Sequence, residues 1–141
     1  MAKGSGRRKM GREVVIRSDS EEAAPGEPWK PYRSGSVRDE QHIEFNKDNR
    51  VYQSIWRDGR LTTNFVLVQQ LKVKGRWRDV LKIDCCHGAA HVHHLTMSGK
   101  NDTKDLQKIE KPADLLVGLE KATGLVFDHW QNNVRRWTRG K

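Results

Sequence analysis

Both cysteines and four of the six histidines fall within residues 81–94, Leu81-Lys82-Ile83-Asp84-Cys85-Cys86-His87-Gly88-Ala89-Ala90-His91-Val92-His93-His94. Imidazole titrates near neutral pH and thiolate and imidazole both ligate metals, so this stretch is where chemistry is expected. One chemistry is metal-independent cleavage of RNA. It needs one group to take the proton of the 2′-hydroxyl, another to protonate the leaving oxygen, and a cation to steady the phosphorane. His91 and His93 stand two apart, which on a strand puts them on one side about 6.6–7 Å from each other. Asp84 is placed to orient His93, His87 to approach His91 from a loop, and Arg78 and Lys82 are the nearest cations. A second chemistry is a metal site. Cys86, His87, His91 and His93 form a sulfur–nitrogen set that Zn²⁺ accepts, although no paired Cys-x₂-Cys knuckle is present. Incidental surface histidines on a half-solvated hairpin, with the cysteines packed as small apolar groups, make the plain alternative.

The elements that must position these residues are read from period and turn chemistry. From Gln41 the pattern alternates: 42–45, 51–57, 61–73, 77–86 and 91–97 read as strands, with Asn46-Lys47-Asp48-Asn49 as a turn. Asp58-Gly59 is expected to form a type I′ hairpin that pairs Trp56 with Leu61 and Tyr52 with Phe65, all four facing the core. A three-residue loop, Lys74-Gly75-Arg76, is expected to set Leu67 opposite Ile83. A longer loop at 87–90 then sets Asp84 beside His93. On this register Ile83, Cys85, Val92 and His94 face the core, while Asp84, Cys86, His91 and His93 face the other way. Residues 98–110 read as a polar connection. Leu115, Leu119, Ala122, Val126, Trp130, Val134 and Trp137 step by threes and fours after Pro112, so 113–138 reads as an amphipathic helix that Gly124 divides. The expected fold class is α+β: a four- to five-stranded antiparallel meander covered on one face by a C-terminal helix, over residues 41–141.

Residues 1–40 have the composition of a disordered tail, with Gly and bases first, then an acidic run, then Pro25, Pro28 and Pro31. The net charge of +9 sits at the ends: residues 1–12 and 129–141 hold nine bases and no acid, and the segment between them is neutral. Basic ends suit loose contact with a polyanion. This makes Arg7, Arg8 and Lys9, with Arg135, Arg136 and Arg139, candidate nucleic-acid contacts. Mean hydropathy is −0.88. No apolar run approaches the ~20 residues of a membrane span and no signal-peptide core follows the start. Two adjacent cysteines suit reduced thiols. The expectation is a cytoplasmic protein without membrane contact.

Between residues 51 and 97 the order of features is distinctive: aromatic strands, Asp58-Gly59, Gly75-Arg76-Trp77, then His87-Gly88 and His91-Val92-His93-His94. This third of the chain resembles the small TumE-like toxins of bacterial toxin–antitoxin pairs, with His91, His93 and His94 at the matching positions. The resemblance implies a compact β-sheet-plus-helix toxin that acts on RNA and is inhibited by a DNA-binding antitoxin. The function expected is therefore a small nucleic-acid-acting protein, a toxin-like ribonuclease with no cofactor. The alternative is a non-enzymatic module that binds nucleic acid or a nucleoprotein assembly through its basic ends and polar sheet face.

Overall fold

The computed structural model describes residues 8–10, 14–15 and 36–140. In chain order these form strands β1 (Arg8–Met10), β2 (Val14–Val15), β3 (Val37–Asn46), β4 (Asn49–Asp58), β5 (Leu61–Val73), β6 (Arg76–Cys86), β7 (Ala89–Leu95) and β8 (Asn101–Lys108). Helices α1 (Pro112–Phe127) and α2 (Trp130–Arg139) follow. Strands β3 to β8 pair antiparallel with their sequence neighbours, and β1 and β2 both pair with the outer side of β3. The fold is thus α+β, with a larger sheet than the four to five strands expected. The sheet begins at Val37, ahead of the boundary expected at residue 41, and most of the expected tail lies outside the described residues.

The helix pair covers one face. Leu115, Ala122, Val126 and Trp137 are buried against Val51, Ile55, Phe65, Leu67, Leu81, Ile83 and Val92, and burying each large aliphatic side chain contributes about 1.5–3 kcal/mol. Pro112 opens α1, and the Asp114 carboxylate accepts from the backbone N–H groups of Glu110 and Lys111, which satisfies donors that a helix start leaves free. The break between helices falls at Asp128-His129, not at Gly124. Phe45 stacks on Trp130 with centroids 4.9 Å apart and meets Phe127 edge-on.

Three registers differ from expectation. The first hairpin turns on Gly59-Arg60, with Asp58 opposite Leu61 and a positive φ at Gly59, as a type II′ turn requires. A bulge then brings Ile55 opposite Phe65, so Val51 and Ile55 face the helices while Tyr52 and Trp56 face away. Both alternations are apolar in the sequence, and chemistry decides between them. On the open face the Tyr52 hydroxyl donates to Glu40 at 2.8 Å and accepts from Ser54, partners that a helix-covered core does not offer.

The second hairpin turns on Lys74-Gly75 alone, both with positive φ, and opposes Val73 with Arg76. A bulge at Gln69/Gln70 absorbs the extra residue and restores the expected pair Leu67–Ile83, with Gln69 opposite Leu81. Trp77 consequently lies on the open face, 4.0 Å beneath the Arg50 guanidinium. Residues 101–108, expected within a polar connection, form β8 along β7. Among the described residues no helix is long and apolar enough to cross a membrane.

Candidate functional site

The third hairpin turns on His87-Gly88, both with positive φ, and pairs Cys86 with Ala89. Ala89 and Ala90 therefore belong to β7, and Asp84 faces His91 while Lys82 faces His93. Against expectation the register has moved, but by an even number of residues, so no side chain changes face. Asp84, Cys86, His91 and His93 share the open face, and Ile83, Cys85 and Val92 are buried under the helices.

Each histidine of the pair lies beside a carboxylate from a different strand. His93 Nε2 lies 3.1 Å from Asp84 Oδ1 on β6, and its Nδ1 lies 3.0 Å from Thr103 Oγ1 on β8. A carboxylate only accepts, so Nε2 carries a proton. His91 Nε2 donates to the Cys86 carbonyl at 3.0 Å. Its Nδ1 is 2.9 Å from Asp105 Oδ1 on β8, close but without the alignment of a hydrogen bond. The Asp105 side chain is 77% exposed, whereas that of Asp84 is 23% exposed and also meets Lys82 Nζ at 3.6 Å. The result is a line of two imidazoles, two carboxylates, one hydroxyl and one ammonium on the face of the sheet away from the helices.

The other candidates separate. His87 is the exposed first residue of its turn and has no described contact with His91. Among the described side chains, Lys82 alone of the expected phosphate cations accompanies the histidines. Arg78 sits opposite Leu71 on the helix side, its guanidinium 5.2 Å from the Trp137 ring centroid. Arg135, Arg136 and Arg139 are on α2, also behind the sheet. Arg8 and Lys9 fall in β1, whose side chains are not described, and Arg7 lies outside the described residues. Among the described residues no group of three or more His, Cys, Asp or Glu side chains could hold a metal ion. Within the proposed zinc set, His91 is turned to the carbonyl of Cys86, not to its thiol. Burial pushes the Cys85 thiol up to about 12, so it is an inert core group at neutral pH.

Asp105 and Thr103 are the site residues that sequence reasoning missed. In Asn101-Asp102-Thr103-Lys104-Asp105-Leu106-Gln107-Lys108 both alternate faces are polar but for Leu106, so period two leaves almost no hydropathic trace.

A six-stranded meander backed by two C-terminal helices, with a histidine–carboxylate line on its open face, defines the class of domain. Residues 36–141 match the family model described as Domain of unknown function (DUF7718), and the chain belongs to that family. No curated protein and no solved structure matches it.

Proposed function

We propose that the protein is a small cytoplasmic nucleic-acid-acting enzyme, a toxin-like ribonuclease whose acid–base pair is His91 and His93. The observation that carries this reading is that both imidazoles project from one face of β7 and each meets a carboxylate from a flanking strand, Asp105 or Asp84. Asp84 fixes the tautomer of His93, and the Cys86 carbonyl fixes that of His91. The exposed Asp105 carboxylate lies where a phosphate oxygen would meet His91, and an incoming phosphodiester displaces it by like-for-like exchange. One imidazole then takes the 2′-hydroxyl proton as O2′ attacks phosphorus. The other protonates the departing 5′-oxygen, leaving a 2′,3′-cyclic phosphate and a 5′-hydroxyl. Lys82 is the nearby cation for the developing charge. The resemblance of residues 51–97 to TumE-like toxins supports the same reading and implies an antitoxin partner.

The test compares a ribo-oligonucleotide with its 2′-deoxy counterpart. His91→Ala and His93→Ala should each lower ribo cleavage by about 10²-fold or more while leaving the fold and RNA affinity intact. Unchanged cleavage in both variants ends the proposal.

A second reading, a nucleic-acid-binding module, is favoured by α2, whose sequence carries three arginines and no acid. Under that reading Arg135→Gln and Arg139→Gln weaken binding and flatten its salt dependence, and the histidine variants do neither.

A further inference from the structure

We propose that Arg136, His94 and Arg78 form a phosphate-binding site on the helix side of the sheet, behind the histidine pair and independent of it. Arg136 is half-buried on α2. Its Nη2 donates to the Val80 carbonyl of β6 at 3.3 Å, while its Nε–H is buried and has no partner. His94 stands opposite Leu81, the residue after Val80, and its Nδ1 is also buried and without a partner. Arg78 lies two residues before Val80. Its Nη2 donates to the Met97 carbonyl at 3.1 Å, and its guanidinium rests over Trp137, the neighbour of Arg136 in the chain. Met97 N–H donates to the Trp137 carbonyl at 3.0 Å, which ties the end of β7 to the end of α2.

Arg136 and His94 therefore face one another between α2 and β7, and Arg78 borders them through Met97 and Trp137. Among the described residues no carboxylate forms an ion pair with any of them. The acid nearest in register is Asp102 opposite His94 on β8, and it lies 3.7 Å from Lys104. Native proteins rarely leave buried polar atoms unpaired: the Arg136 Nε–H calls for an acceptor, and His94 Nδ1 calls for one too when the imidazole is protonated. Phosphate supplies several acceptor oxygens at once and suits the forked guanidinium of arginine. The local charges agree with an empty anion site. Burial, then the Arg136 guanidinium and Lys104, hold His94 below the ordinary imidazole value, with Asp102 opposing them.

The site is tested by titrating the full chain with inorganic phosphate at about pH 6, against chloride at matched ionic strength, and following histidine ring and arginine Nε signals by ¹⁵N NMR. Saturable shifts at His94 and Arg136 are expected, with a rise in the His94 pKa. Arg136→Gln should weaken phosphate at least about tenfold, and Arg136→Lys, which keeps the stem and charge, should weaken it less. His93→Ala should bind phosphate as the native chain does, which separates this site from the proposed ribonuclease centre. A single-stranded oligodeoxynucleotide lacking terminal phosphate distinguishes the source. Saturation by it too assigns the site to backbone phosphodiesters, and saturation by inorganic phosphate alone assigns it to free phosphate. No saturable shift with either probe, or unchanged affinity in Arg136→Gln, overturns the proposal.

Discussion

The Asn133 side-chain amide donates to Gln69 Oε1 at 2.9 Å, and Gln69 Nε2 donates onward to the Trp130 carbonyl at 2.9 Å. Gln69 is fully buried at the centre of β5. Asn133 also reaches the Leu125 carbonyl, so a single polar chain joins the sheet, the end of α1 and the first turn of α2. Gln69→Leu removes the side-chain donor to the Trp130 carbonyl and one of the two acceptors of the Asn133 amide, which should cost about 1–3 kcal/mol. Urea unfolding should show the loss as a lower midpoint at unchanged slope. Adding Asn133→Leu should restore part of it, because the amide hydrogen that lost Gln69 is then gone.

The two carboxylates of the histidine line should not be equivalent. Asp84 is largely covered and holds the proton-bearing nitrogen of His93, whereas Asp105 is exposed. Asp84→Asn should lower RNA cleavage by about a hundredfold by releasing the tautomer, and Asp105→Asn should change it by no more than about threefold. The reverse order would assign the orienting role to Asp105.

His94 gives stability a defined dependence on pH. Its folded pKa is lowered from 6.5, first by burial and then by Arg136, so in that range the unfolded chain binds more protons than the folded one. Its contribution is intact above 6.5 and declines as pH falls from there toward the folded value. Unfolding free energy measured across that range should fall with acid less steeply in His94→Gln than in the native chain. Parallel curves would remove His94 as the source.

The adjacent cysteines should react in strict order. Cys86 is partly exposed on the open face, while Cys85 is buried and its thiol is pushed up to about 12. Alkylation of the native protein, read by peptide mass spectrometry, should label Cys86 and leave Cys85 unmodified until denaturant is added. Equal labelling would mean that β6 opens readily.

The fold class was legible in the sequence because period two and period 3.6 each persist over long segments. Lys74-Gly75 and His87-Gly88 announce hairpins, and Pro112 announces α1. Registers were harder. The run Val51-Tyr52-Gln53-Ser54-Ile55-Trp56 offers an apolar alternation on either face, and the choice rests on Glu40 and Ser54, which solvate the Tyr52 hydroxyl from positions no periodicity connects. The bulges at Trp56/Arg57 and Gln69/Gln70 each hide one residue from a turn-based count. Gln69, a blemish on an apolar stripe when read alone, becomes necessary once two helix ends need a partner. The histidine face survived its shifted register because an even slip preserves parity. Its partners on β8 carry no hydropathic signal at all.

The two histidines answer to different hairpins. His93 takes its carboxylate from β6, inside the sheet, and His91 meets one from β8, at its border. A change at Asp105 alone can therefore retune His91 while His93 keeps both its Asp84 and its Thr103 contacts. The sheet border is thus the place where the surroundings of His91 can change without disturbing the Asp84–His93 pair.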